Sequence, residues 1–453
     1  MLDFLWNLGS FAIALGLLIT AHEYGHFWVA RRCGVKVERF SIGFGKAIWR
    51  KVGQDGTEYV LAMIPLGGYV KMLDERVDDV PDELKPQAFN RKSVWQRIAI
   101  VGAGPMANFV FAIFALYIMY LIGVPSLKPV IESTQSDSPA AVIQVTRPMQ
   151  VLAVGDQKVR NWEEVTYALV SHIGDSQIDL TLAPMSGLMG EERTYRLDTS
   201  NWQFDPEKQS PMSSLGLNIF RPEISPVLSF VSEEGAAHAG GIQVGDELVA
   251  IDGETYQDWD SFVDKIKASP GQLLQITVRR NGEQLHLNVT PGSRSGSRGV
   301  SEGVLGVAPT QAPWPEAMQL QLEYGFGESL LVAADKTWQL VAVSIKLIGK
   351  LFTGDVSVKN LSGPISIAQG AGSSANYGLV YFLGFLALIS VNLGIINLLP
   401  LPVLDGGHLL YYFIEVITGR PVPEKVQEIG FRFGAAMLLM LMSIALFNDF
   451  SRL

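Results

Sequence analysis

Two histidines four positions apart, with a carboxylate beside the first, form the pentad His22-Glu23-Tyr24-Gly25-His26. Residues four apart share one face of a helix, so both imidazoles can converge on a single zinc ion while Glu23 stands next to it. The chemistry this combination suits is hydrolysis: two metal ligands, and a general base for the attack of water on a polarised carbonyl. A zinc site that does chemistry keeps three protein ligands and one open position. Asp405 is the best candidate for the third ligand, because Pro400 and Pro402 must break the helix before it and leave its oxygens free at membrane depth. His408 is an alternative ligand a little further on. Nitrogen ligands joined by one carboxylate favour zinc over other metals. The competing account makes His22, Glu23 and His26 a polar seam between packed helices.

The pentad interrupts an apolar run from Phe4 to about Ala30 that is long enough to cross a bilayer, and ionisable groups in such a run mark a functional site. The run lacks a basic leader and a small-residue cleavage site, so it is expected to stay as a membrane helix. Arg31, Arg32, Lys36 and Arg39 follow it, which puts this end in the cytoplasm and the zinc site near the cytoplasmic edge. Residues 37–72 alternate and turn as a β-hairpin softened by glycines. So apolar a hairpin, directly after a membrane metal site, is expected to dip back towards it. Further apolar runs at about 98–124, 378–404 and 430–447 bring the expected membrane helices to four, counting the one at about 4–30. The second of them carries Gly102-Ala103-Gly104-Pro105 and Asn108, and its small residues are read as permitting close helix packing. Glu316 to Phe352 carries charge too often for a span and reads as an interfacial amphipathic helix within a region 311–377.

Of the 453 residues, 48% are hydrophobic and only 18% charged, which fits a mixture of membrane and water-soluble parts with the bilayer as partner. A net charge of -10, with no clustered basic face, argues against a nucleic-acid partner. Cys33 stands alone, so no disulfide can form within the chain. The water-soluble part contains a repeat. Pro129-Val130, Ala140-Ala141 and Asn161-Trp162 are echoed by Pro226-Val227, Ala236-Ala237 and Asp258-Trp259, with the prolines and the tryptophans both 97 residues apart. Two related domains, at about 127–221 and 222–310, are expected between membrane parts 1–126 and 378–453.

Gly241-Ile242-Gln243-Val244-Gly245-Asp246-Glu247-Leu248, in the second copy, resembles the bacterial PDZ domain, a module that binds an extended peptide by strand addition. Leu215-Gly216-Leu217 and Leu305-Gly306-Val307 look like the carboxylate loops of its permuted variety, which makes Gly216, Leu217, Gly306 and Val307 the expected peptide loops. The first copy diverges, with Thr146-Arg147-Pro148 where the second has Val244-Gly245-Asp246. Two spacers that bind nothing are the alternative.

The pentad on the first membrane helix, paired with Asn397-Leu398-Leu399-Pro400-Leu401-Pro402-Val403-Leu404-Asp405-Gly406 on a later one, resembles the site-2 protease family of intramembrane zinc metalloproteases. Ser41-Ile42-Gly43-Phe44-Gly45, Pro65-Leu66-Gly67-Gly68-Tyr69 and the terminal Phe447-Asn448-Asp449-Phe450-Ser451-Arg452-Leu453 extend the likeness over essentially the whole chain. The fold class expected is a polytopic α-helical membrane protein, with four transmembrane helices and a membrane-associated β-hairpin, plus two PDZ-like α+β domains. The resemblance implies that His22, His26 and Asp405 bind zinc, that Glu23 is the base, and that Asn397 and Pro402 belong to a substrate-contacting motif. It also implies cleavage of single-span membrane proteins within the span, in the bacterial inner membrane. The substrate in that family is typically an anti-sigma factor already trimmed by another protease, and remnant signal peptides are also cut. The strand around Gly43-Phe44-Gly45 is expected to hold the unwound substrate, with Asn392 or Asn397 bonding its freed backbone, although Asn392 is equally suited to helix packing. The periplasmic PDZ-like pair is expected to act as a size filter. A membrane scaffold and a metal transporter are the rival classes; a transporter would favour several broken helices, and only one is evident.

Overall fold

With neither proline nor charge between Phe4 and Ala21, the first apolar run forms one uninterrupted helix, α1 (Leu2–Arg32), in the computed structural model. The structure describes residues 2–77, 79–185, 192–200, 202, 209–295, 301–353 and 361–452, so Met1 and Leu453, the outer limits of the expected ranges, lie outside the described residues. Arg31 and Arg32 close α1, their guanidinium groups lying 5.3 Å from the Phe27 ring centre and 4.8 Å from that of Trp28. Cations there suit the carbonyl end of the helix.

The chain then forms β1 (Val37–Val52) and β2 (Glu58–Met72), an antiparallel pair. This hairpin is curled: Ser41 is matched both to Val60 and to Tyr69, so the first half of β1 lies between the two halves of β2. Sharp bends are needed, and Gly43 and Gly45 take φ of +91° and +87°, a region that strains any side chain. A reciprocal capping box starts α2 (Val94–Ile122), with Gln96 N–H donating to Ser93 Oγ at 3.3 Å and Ser93 N–H to Gln96 Oε1 at 3.1 Å.

Residues Pro125–Leu320 form a compact unit of their own, and the rest of the chain another. The inserted unit holds the repeat. Its first copy comprises β3 (Val130–Thr134), β4 (Met149–Val154), α3 (Trp162–Ser171), β5 (Gln177–Pro184), β6 (Arg193–Asp198) and β7 (Leu217–Ile219). The second comprises β8 (Ile224–Val231), β9 (Glu247–Ile251), α4 (Trp259–Lys267), β10 (Leu274–Arg280), β11 (Glu283–Val289) and β12 (Val307–Gln311). The sheet orders are β6-β5-β4-β3-β7 and β11-β10-β9-β8-β12, the same topology twice. The likeness reaches individual hydrogen bonds: Gln135 N–H donates to Gly216 O at 2.9 Å, and Ser232 N–H to Gly306 O at 2.8 Å. Each copy buries its own apolar core, around Val151 and Leu180 in one and Ile276 and Val278 in the other.

The membrane unit resumes with α5 (Phe326–Thr353), α6 (Pro364–Tyr377), α7 (Leu379–Leu398), α8 (Asp405–Thr418) and α9 (Glu424–Arg452). Among the described residues four stretches are long and apolar enough to cross a membrane: Phe4–Arg32, Val94–Ile122, Leu379–Leu398 and Glu424–Ser451. Here the structure departs from the sequence reading in four places. The interfacial helix expected over Glu316 to Phe352 runs from Phe326 to Thr353 as α5, and instead of lying only at the interface it packs Ala333, Leu340 and Val341 into a cluster with α2 and α7. Its apolar residues recur on more than one face, and Leu331 and Trp338 stay exposed. The run expected as helix over about 378–404 stops at Leu398, since proline has no N–H to give and disfavours helical backbone in the residue before it. Two short bonds, Leu401 N–H to Leu399 O at 2.7 Å and Leu404 N–H to Leu401 O at 2.8 Å, carry the chain through the break. The last helix, expected over about 430–447, runs from Glu424 to Arg452, and α8 between them was not anticipated.

Candidate metal centre

One helical turn of α1 carries the pentad, and α2 is pressed against it there. Small residues make the approach possible: a Cβ on Gly25 would strike the Ala103 carbonyl and Ala107, and one on Gly104 would strike both His22 and His26. Gly104 thus leaves the two imidazoles room against α2. The His26 Nδ1 lies 2.9 Å from the Ile100 carbonyl oxygen, and Asn108 Nδ2 lies 3.1 Å from His22 Nδ1.

The carboxylate arrives from the far end of the sequence. Asp405 opens α8, and Gly406 and Gly407 let this helix start tight against the linker, where added Cβ atoms would meet the Leu399 and Leu401 carbonyls. The α8 helix is held down by Tyr412, which packs with Phe27 and Ile100. Arg97 of α2 adds a partly buried ion pair to Glu415 at 2.7 Å and lies over the Tyr412 ring at 4.8 Å. The result is convergence. Asp405 Oδ2 lies 3.2 Å from His22 Nε2 and 3.4 Å from His26 Nε2, and the two Nε2 atoms are 3.2 Å apart.

These residues fit a metal ion. Their ligand atoms all lie within 4.8 Å of one another, and the side chains are only 12%, 12% and 20% exposed. Apart from its approach to the two Nε2 atoms, Asp405 Oδ2 is buried without a hydrogen bond among the described residues, an unfavourable state that a cation at the centre of the three groups relieves. Two imidazoles and a carboxylate are ligands that zinc accepts. His408, the alternative ligand, is not in the group found among the described residues. Glu23 stands beside the cluster on α1, and its carboxylate has no hydrogen bond or ion pair among the described residues. Gly68 of β2 packs directly on it, since a Cβ there would sit 3.0 Å from Glu23 Cγ and also press on Ile19 and the Ser41 carbonyl. The hairpin therefore lies beside the general-base candidate.

The other candidates are placed as follows. Gly43 and Gly45 form the bend of β1, and Phe44 between them pairs with Ile64 and stacks on Tyr69 at 6.3 Å. Asn397 is half-buried near the end of α7, with no side-chain partner among the described residues. Asn392 accepts a hydrogen bond from Ser344 of α5 at 2.8 Å, a helix-packing contact. Pro402 lies against Gly430 and Gly434 of α9. Of the four loop residues in the inserted unit, Gly306 and Val307 line a groove of about 220 Å³ with Trp259, Phe262, Val263 and Ile266. Gly216 takes φ of +81°, and Leu217 is buried in its own domain core beside Met212.

Sequence reasoning did not assign Gly68, Gly104, Asn108, Arg97 or Glu415 to the site. Gly104 and Asn108 are one turn apart on α2, a spacing that puts them on one face, and this was the available signal.

Comparison with known proteins gives full-length matches. A sequence model of peptidase family M50 matches residues 10–441. A Salmonella typhimurium protein named regulator of sigma-E protease RseP is 53% identical over 453 residues, covering 100% of both chains. The Escherichia coli protein of the same name is 51% identical over 453 residues, again with 100% of both covered. A Vibrio cholerae protein provisionally named a zinc metalloprotease is 52% identical over 454 residues, with 100% of each covered.

Proposed function

The chain belongs to peptidase family M50, and from that premise we propose that it is a zinc metalloprotease of the site-2 type, cutting single-span membrane proteins within their membrane spans. The observation that carries the reading is the convergence of His22, His26 and Asp405 beside Glu23, on a helix long and apolar enough to cross a bilayer. The zinc in the name of the Vibrio cholerae relative agrees with the donor set. By likeness to the relatives named for sigma-E regulation, the substrate is an anti-sigma factor whose outer domain another protease has removed. Remnant signal peptides are the second substrate class, and the bacterial inner membrane is the location.

His22, His26 and Asp405 hold the metal, which when bound makes water acidic enough to ionise near neutrality and polarises the scissile carbonyl. Glu23, without a hydrogen bond or ion pair among the described residues, takes the proton of the attacking water and returns it to the leaving amine. A peptide bond in a helix is shielded by its own hydrogen bonds, so the substrate must unwind first. The bend at Gly43, Phe44 and Gly45 serves to receive the unwound segment by strand pairing, since the same hairpin packs on Glu23 through Gly68. Asn397, whose amide is uncommitted, bonds the freed substrate backbone, with Pro402 fixing the turn that follows it. Arg31 and Arg32 orient this end of α1 to the cytoplasm, which leaves the inserted PDZ-like pair on the periplasmic side. There it acts as a size filter, and the groove at Gly306 and Val307 is its peptide site.

Cleavage of a pre-trimmed single-span substrate by purified protein in detergent tests the reading. Wild type is expected to cut within the span, while Glu23→Gln slows cleavage by about 10²–10⁴-fold and retains zinc. Asp405→Ala loses both zinc and turnover. Cutting by Glu23→Gln at the wild-type rate would sink the proposed mechanism.

A further inference from the structure

We propose that Asn108 is the positioning residue of His22: its side-chain oxygen receives the His22 Nδ1 proton and so keeps Nε2 bare for the metal. The inference rests on the reading of His22, His26 and Asp405 as ligands. His26 shows how α2 controls an imidazole. The Ile100 carbonyl, 2.9 Å from His26 Nδ1, can only accept, so Nδ1 carries the proton and Nε2 of the neutral ring is free. His22 meets an amide in the corresponding place, 3.1 Å from its own Nδ1.

Which end of the amide faces the ring decides the tautomer. With the nitrogen towards Nδ1, the ring must accept there, and the proton of a neutral His22 is forced onto Nε2, where it occupies the atom that faces Asp405. With the oxygen towards Nδ1, the proton sits on Nδ1 and both histidines present the same bare Nε2 to Asp405. The two orientations differ only by a half-turn of a nearly symmetric amide. Among the described residues nothing donates to Asn108 Oδ1 on the side away from His22, where it is buried without a partner, so the oxygen gives up no bond by turning. Asn108 is 0% exposed, which leaves no bulk water to take over the role. Ser390 of α7 donates to the Asn108 backbone carbonyl at 2.8 Å and fixes the residue at this depth. A ligand histidine whose second nitrogen is held in this way binds metal more tightly, because ring orientation and tautomer are set beforehand.

The test reads zinc rather than turnover. Full-length protein in detergent is titrated with a zinc chelator, comparing wild type, Asn108→Leu and Asn108→Asp. Leucine keeps the volume but has no acceptor, and zinc retention is expected to weaken by about 10- to 100-fold. Aspartate keeps an acceptor oxygen in the same place and is expected to retain zinc like wild type. Retention by Asn108→Leu equal to wild type overturns the proposal, and so does a loss in Asn108→Asp as large as that in Asn108→Leu. A wild-type chain that binds no zinc overturns the metal-centre reading instead. Should Asn108→Leu not fold, nitrogen NMR of zinc-loaded protein with His172, His238, His286 and His408 replaced by glutamine decides, since only His22 and His26 then report. A protonated His22 Nδ1 is expected; a bare or metal-bound Nδ1 refutes the assignment.

Discussion

At the scale of single residues, the centre depends as much on an absent atom as on the three side chains that converge there. The imidazoles of His22 and His26 lie where a Cβ on Gly104 would be, so Gly104→Ala must push the rings away from α2 or α2 away from α1. Overpacking of this kind costs about 1–3 kcal/mol, and the expected outcome is a lower unfolding midpoint together with weaker zinc retention. Gly102→Ala is the control. No atom lies within 4 Å of its added Cβ, so it should stabilise by up to about 1 kcal/mol through helix propensity and leave zinc untouched. Equal zinc loss in both variants would remove Gly104 from the account. The contrast also marks what a sequence can reveal. His22, Glu23 and His26 were legible because helix geometry relates them over a single turn, and Asp405 because two prolines flag a broken helix. Gly104 reads from the sequence only as a small packing residue and Asn108 carries no assignment, since their relation to the histidines depends on which face α2 turns to α1, a long-range fact that local spacing does not carry.

At the scale of elements, the hairpin and the broken helix supply the geometry from opposite ends of the chain. The hairpin was legible from alternation and glycine placement, but its curl was not. The double match of Ser41 to Val60 and Tyr69 arises from two bends that only the folded sheet reveals. Helix α8 went unread because Asp405-Gly406-Gly407 looks like loop, whereas the two glycines are needed for close approach to the linker carbonyls. The contact of Gly68 with Glu23 links hairpin to chemistry and can be separated from metal binding. In Gly68→Val the new side chain presses on Glu23, Ile19 and the Ser41 carbonyl. Misplacing the proposed base by about 1 Å costs on the order of 10²-fold, so kcat is expected to fall by that amount while zinc retention holds, Glu23 standing outside the group of His22, His26 and Asp405. A matching loss of zinc would show that the hairpin supports the ligands themselves.

At the scale of the whole molecule, a compact inserted unit interrupts a membrane protein, and the chain leaves and re-enters the membrane unit at one place. Gln321 donates to the Ile122 carbonyl at 3.2 Å, so removing Pro125–Leu320 leaves ends that a short linker can rejoin. Among the described residues the inserted unit contributes none to the group of His22, His26 and Asp405. Its removal therefore tests the filter without touching the chemistry. A filter acts on substrate bulk, so the excised protein is expected to cut an untrimmed single-span substrate that wild type spares, and to cut the trimmed form at the wild-type rate. Two other results are informative. Loss of cleavage of the trimmed substrate would mean that the unit delivers substrate rather than excluding it, with the groove at Gly306 and Val307 as the point of capture. Continued resistance of the untrimmed substrate would place the discrimination in the membrane unit, where unwinding at the hairpin, and not size outside the bilayer, would decide which spans are cut.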